Sequence, residues 1–164
     1  MALVPTDDSR SLVKLVVAVV LILDQATKHW ALNELAHGRT IDLVWTLRFN
    51  LVFNSGMAFS RGQGSGRIIG LLAIAVIIWL WRGLSRRQSR RSTFGMALLI
   101  GGAMGNVVDR LFRGDAWLGG SVVDFIDLQW FPVFNIADSA VTIGALLIIL
   151  SLYTTHLRSK SMQS

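Results

Sequence analysis

Long apolar runs separated by short polar clusters set the pattern of this chain. After a polar start, residues 12–23 are apolar apart from Lys14, and helical character continues past Asp24 and Gln25 to about Leu35. A second run covers 67–84, where IIGLLAIAVIIWLW carries no charge; a third covers 94–112, and a fourth 134–154. Wound as helices, runs of about 20 residues match the hydrocarbon core of a bilayer. The pattern predicts a mainly α membrane protein of one domain, with four spans near 12–31, 67–84, 94–112 and 134–154. A charged start before a short apolar run is also how a secretory signal begins. No small-x-small cleavage site follows, so an uncleaved first helix is the expectation.

The segment from Arg39 to Ser60 has another texture. Residues 40–45 and 46–53 alternate loosely and are rich in β-branched and aromatic side chains, which predicts two short strands. Asn54-Ser-Gly56 reads as a turn. Non-helical backbone cannot face lipid, so a small β-rich cradle against the membrane surface is expected between helices one and two. Asn54 is either a turn residue or a polar group aimed into a site. Gly62-Gln-Gly-Ser-Gly66 reads as a flexible loop.

Charge then orients the helices. Five arginines fall within Arg82–Arg91, and smaller basic groups lie at Arg10 and Lys14 and at Arg158 and Lys160. Basic loops stay cytoplasmic, so both termini are expected inside and the 39–60 segment outside. Trp79 and Trp81 fit an aromatic belt. The 164 residues are 52% hydrophobic and 16% charged, against about 25% charged in soluble domains. The net charge of +6 follows from those loops rather than from a nucleic-acid module. Without cysteine there is neither a disulfide frame nor a thiolate metal site.

Polar residues inside apolar runs are costly and mark function by default. Asp24 and Lys28 stand four apart, spaced for an ion pair, either as a solvated helix end or as a structural tie. In the third run Gly101-x-x-x-Gly105 offers a small-residue packing face, followed by Asn106, Asp109 and Arg110. Asn106 lies about 18 Å along that helix and Asp109 about 22 Å, in its outer half. Asp124 sits in a strand-like approach and Asp127 three residues on. Asn135 and Asp138 open the fourth helix, where an acid also suits the helix dipole. Three helices bearing polar groups at one depth suggest a shared pocket.

The chemistry narrows by type. Ser121 and Ser139 have no histidine nearby in sequence to act as base, and HExxH and cysteine pairs are lacking. Aspartates remain: two close carboxyls share a proton, one acting as base on water while the other polarises a carbonyl. That chemistry requires neither metal nor cofactor. By composition Asp127 rivals Asp124 as partner to Asp138. A proton or ion transporter also uses buried acids, but it predicts polar groups through the full membrane depth. A structural assembly protein leaves the clustered acids unexplained.

Leu23-Asp-Gln-Ala-Thr-Lys28, Asn54-Ser-Gly-Met-Ala-Phe59, Gly105-Asn-Val-Val-Asp-Arg110, Val122-Val-Asp-Phe125 and Phe134-Asn-Ile-Ala-Asp-Ser139 follow one another in the order seen in the lipoprotein signal peptidase (signal peptidase II) family. The chain resembles that family from helix one to helix four, with Met57 standing where an alanine is usual. The resemblance implies a bacterial inner-membrane aspartyl endopeptidase that cuts prolipoproteins just before a diacylglyceryl-modified cysteine. It assigns the dyad to Asp124 and Asp138 and substrate contacts to Asn54, Asn106, Asp109, Arg110 and Asn135; Asp24, Lys28 and Gly56 are expected to be structural, the first two as a tie and Gly56 in its turn. It also implies inhibition by the cyclic peptide globomycin, an outer cradle with a flexible lid and, with no partner indicated, a monomer in the lipid bilayer.

Overall fold

The computed structural model describes residues 7–56, 65–84 and 89–161. Four long helices and one small sheet make up this part of the chain. They are α1 (Asp7–Glu34), β1 (Thr40–Val44), β2 (Leu47–Asn54), α2 (Ser65–Gly83), α3 (Arg90–Phe112), β3 (Val122–Asp127) and α4 (Ile136–Ser161). The loop expected at 62–66 and the position of Met57 fall largely or wholly outside the described residues, as does the centre of the basic loop, 85–88.

α3 is the hub and packs against the other three helices. Its small residues make this possible. A Cβ on Gly101 would lie 2.9 Å from the Val20 side chain on α1, and one on Gly102 would run into the Ala137 carbonyl on α4. Val13, Val17, Leu80, Ala97 and Ile100 are buried where α1, α2 and α3 meet. The outward faces remain apolar: Leu71, Leu72 and Trp79 on α2, and Ile143, Leu146 and Ile149 on α4, are exposed. Apolar side chains on an outer face are what lipid contact requires.

Among the described residues two helices are long and apolar enough to cross a membrane, within Gly66–Gly83 and Ile136–Lys160. α1 and α3 are as long but carry charges, and those at Asp24, Lys28 and Asp109 are completely buried against protein.

The cradle is larger than the segment between helices one and two. β1 and β2 are the two expected strands, joined as an antiparallel hairpin about Trp45–Thr46, and β3, from between α3 and α4, joins them in the order β1-β2-β3. Trp30 of α1 meets Phe49 of β2 and Phe125 of β3 edge-on, with ring centroids 5.1 and 6.1 Å away. Ala31, Leu35 and Phe125 are buried there, and this cluster fixes the sheet to the end of α1. Phe134 bridges back to Ile126: its N–H donates to the Ile126 carbonyl and its own carbonyl accepts from the Ile126 N–H. That closure brings the start of α4 beside β3.

Candidate active site

The site lies where β2, β3 and the start of α4 meet the C-terminal part of α3. β3 supplies Asp124, 1% exposed. Its register opposite Val52, with Asn54 opposite Val122, makes Asn54 its diagonal neighbour, within reach of a side-chain contact. Asn54 Nδ2 donates to Asp124 Oδ2 at 3.0 Å, and Asn54 Oδ1 accepts the Gly56 N–H at 2.9 Å. Gly56 has φ +88°, a conformation that glycine adopts without a Cβ penalty. Asn54 is therefore both the turn residue and a site residue.

Asn135 caps α4. Its Oδ1 accepts from the Asp138 N–H at 2.9 Å, and its own N–H donates to Asp138 Oδ2 at 3.3 Å. This is a reciprocal capping arrangement of the kind that stabilises helix starts. Asp138 thus fills the role of an N-terminal helix acid while remaining half-buried at the site. Asn135 Nδ2, pointing the other way, donates to Asp124 Oδ1 at 2.6 Å and to Asn106 Oδ1 at 3.1 Å. Asn106 Nδ2 in turn donates to Asp138 Oδ1 at 2.8 Å. Asp124 and Asp138 are therefore linked through two asparagine amides.

These amides are oriented by donors that cannot reverse: the Gly56 and Asp138 backbone N–H groups and the Lys28 ammonium. Each asparagine turns its oxygen to its fixed donor and its NH2 to a carboxyl group. Burial pushes the Asp124 carboxyl up to about 6, aided by the nearby Asp138 charge and opposed by the Asn54 and Asn135 donors and by Lys28.

Asp24, Lys28 and Asp109 form a separate cluster behind the site. Lys28 Nζ lies 2.8 Å from Asp24 Oδ2 and 2.8 Å from Asp109 Oδ2, with all three side chains fully buried. The pair predicted by spacing is thus an interior tie, and a solvated helix end is ruled out. Asp24 Oδ1 accepts the Ala137 N–H at 3.0 Å, and Asp109 Oδ2 accepts the Val123 N–H at 3.1 Å. The cluster thereby grips the elements that carry Asp138 and Asp124. Asp109, expected beside the substrate, has both oxygens engaged here and contacts neither dyad member.

Sequence reasoning missed Gln25 and Arg113. Gln25 Nε2 reaches Asp24, the Gly105 carbonyl and Asp109 at 3.1–3.2 Å. Arg113 Nε pairs with Asp109 Oδ1 at 2.8 Å, and their spacing of four on one helix was a readable signal. Arg110 is 5% exposed, with its Nη1 buried and lacking a hydrogen-bond partner among the described residues.

Asp127 belongs elsewhere. Its Oδ2 accepts from Arg48 Nε at 2.8 Å and Asn50 Nδ2 at 3.2 Å, and its Oδ1 accepts the Gln129 N–H at 2.6 Å. Burial works against its charge, but those donors outweigh it and hold Asp127 below the ordinary carboxylate range.

Comparison with known proteins bears on this geometry. Residues 16–154 match the family description Signal peptidase (SPase) II. The lipoprotein signal peptidase of Mycobacterium leprae (strain Br4923) is 44% identical over 141 residues, covering 84% of this chain and 70% of that protein. That of Mycobacterium avium (strain 104) is 41% identical over 157 residues, covering 91% and 86%. A bacterial membrane enzyme solved by the in meso method at 2.3 Å superposes with a TM-score of 0.79 at 29% identity, over 94% of this chain and 93% of its own. A second, at 1.9 Å, gives 0.77 at 30% identity, over 93% and 97%. A match across nearly the whole chain, in sequence and in fold, places it in the signal peptidase II family.

Proposed function

We propose that this chain is a membrane peptidase that removes signal peptides from diacylglyceryl-modified prolipoproteins, cutting before the lipidated cysteine, with Asp124 and Asp138 as its catalytic pair. The observation that carries this reading is the link between two carboxyls of unlike environment through Asn135 and Asn106. Asp124, fully buried and raised to about 6, is assigned the proton that the pair shares. Asp138, half-exposed at a helix N-terminus and meeting two donors, is the base.

The step follows from those roles. Asp138 takes a proton from a water molecule as the water oxygen attacks the scissile carbonyl carbon. The Asp124 O–H hydrogen-bonds to the carbonyl oxygen and transfers its proton as that oxygen becomes negative. When the tetrahedral intermediate collapses, the C–N bond breaks, the amine nitrogen receives the proton held by Asp138, and the hydroxyl proton returns to Asp124. Arg110, whose buried Nη1 lacks a hydrogen-bond partner among the described residues, contacts a substrate carbonyl or steadies the pocket. Asn54, Asn106 and Asn135 position the acids, and Asp109 serves them from behind.

A substrate with acyl chains and an apolar signal helix stays in the bilayer, so its scissile bond lies near an interface. Four spans with both termini in the cytoplasm put the sheet and the dyad at the outer face of a bacterial inner membrane. In this reading the enzyme acts as a single chain, and a cyclic peptide such as globomycin binds over the same two carboxyls.

The test is purified full-length protein in detergent with a diacylglyceryl-modified prolipoprotein, cleavage being followed by gel shift. Asp124→Asn and Asp138→Asn should each lower turnover at least about 1000-fold, with the double variant scarcely worse, because members of a catalytic unit fail together. Asp127→Asn should keep most activity. Substantial activity in Asp138→Asn rejects the dyad; activity retained in Asp124→Asn but lost in Asp127→Asn moves it.

A further inference from the structure

We propose that Lys28 is a positioning residue for the reaction: by fixing the amide of Asn106, it determines which atom Asp138 meets. This rests on the reading of Asp124 and Asp138 as the reacting pair. Lys28 is fully buried, and its charge is already paired with two acids, Asp24 and Asp109. Its third contact leaves the ionic cluster: Nζ lies 3.1 Å from Asn106 Oδ1.

An ammonium has three donors and no acceptor. Against such a partner a carboxamide has one usable orientation, with its oxygen toward the lysine. Asn106 Nδ2 is thereby turned to Asp138 Oδ1, at 2.8 Å. Reversed, the amide would set NH2 against the ammonium and a carbonyl oxygen against the carboxylate. Asn135 Nδ2 also reaches Asn106 Oδ1, but its two hydrogens are shared with Asp124 Oδ1 and the Val123 carbonyl. Lys28 is the donor whose own place is held by two carboxylates, so it sets the orientation. Asp138 then lies between Asn106 Nδ2 and the Asn135 N–H, one donor on each carboxylate oxygen, so the amide orientation fixes where its oxygens stand.

A merely structural lysine and a positioning one differ in their coupling to Asn106. The experiment is a double-mutant cycle with Lys28→Met and Asn106→Ala in the full chain, on the lipid-modified prolipoprotein, with thermal midpoints recorded. Each single variant should lower kcat about 10-fold or more with KM within about twofold, and the double variant should be no slower than the slower single one. Losses that multiply, or full activity in Lys28→Met, overturn the proposal. Because Lys28→Met strips Asp24 and Asp109 of their shared cation, the cycle is repeated in an Asp24→Asn background, where Arg113 balances Asp109. Failure to fold in both backgrounds assigns Lys28 to stability alone and also overturns it. If the parent chain cleaves no prolipoprotein, the proposed function fails instead. The contact is then read from the Asn106 side-chain signals of 15N-asparagine-labelled protein. They shift in Lys28→Met if the lysine holds the amide; unchanged signals count against it.

Discussion

Asn135 donates to Asp124 at 2.6 Å while its backbone N–H and side-chain oxygen engage Asp138. A single residue therefore sets the spacing between a strand carboxyl and a helix carboxyl. It can do so because Phe134, the residue before it, pairs with Ile126 on the strand that bears Asp124.

The two duties of Asn135 are separable. Serine is as good an N-cap as asparagine but has no amide NH2 to offer Asp124. Asn135→Ser should leave the thermal midpoint within a few degrees of the parent and reduce turnover by roughly 10- to 100-fold. Asn135→Ala loses the cap as well, at a further cost of about 1 kcal/mol of stability. Thermal unfolding beside the cleavage assay checks both; parental turnover in Asn135→Ser would remove the residue from the site.

Asp124 makes stability depend on pH in a definite direction. Its carboxyl titrates near about 6 when folded and near about 3.9 when unfolded. Between those values the folded chain binds more protons, so this group's contribution to stability falls as pH rises from about 4 to about 6 and stays low above that. Asp124→Asn should accordingly raise the thermal midpoint at pH 7 and change it little at pH 4. Because turnover uses the protonated Asp124, kcat/KM should decline on the basic side. Asn54→Ala removes a donor to the charged form and should move that decline to higher pH. A midpoint that falls at pH 7 in Asp124→Asn, or a basic limb that moves down in Asn54→Ala, contradicts the assignment.

Arg110 should prove helpful rather than indispensable. Arg110→Lys keeps the charge and loses the planar fork of donors, including the Nη1 that lacks a partner among the described residues. Turnover should drop partially, with cleavage still measurable over a long incubation. Complete loss in a folded protein would place Arg110 in the proton-transfer machinery.

Topology can be read by labelling single cysteines. One at position 115, in the loop after α3, should react with an impermeant reagent added from outside, and one at 159, near the end of α4, should be spared. Both positions are exposed in the fold, so burial does not confuse the outcome. The reverse pattern would turn the site to the cytoplasm.

What the sequence determined by itself is whatever depends on near neighbours. Helix positions followed from apolar runs, the strands β1 and β2 from their alternation, and the Asp24–Lys28 contact from a spacing of four. The asparagines and acids of the site were legible as polar residues set in apolar surroundings. Tertiary structure decided which of them meet. Asp124 and Asp127 stand three apart on one strand, so they fall on opposite faces. Only the pairing of β3 with β2 determines that Asp124 meets Asn54 while Asp127 meets Arg48. The same pairing completed a sheet whose third strand lies about 70 residues from its neighbour in sequence. Asp109 read locally as an acid that either reaches the interface or pairs within the bundle. It pairs within the bundle, in an interior cluster with Lys28, Gln25 and Arg113, because the glycine face of α3 brings α1 close enough to bury those charges together. Local periodicity carries no record of such an approach; it arises only when distant backbone segments pack and their charges must find partners away from water.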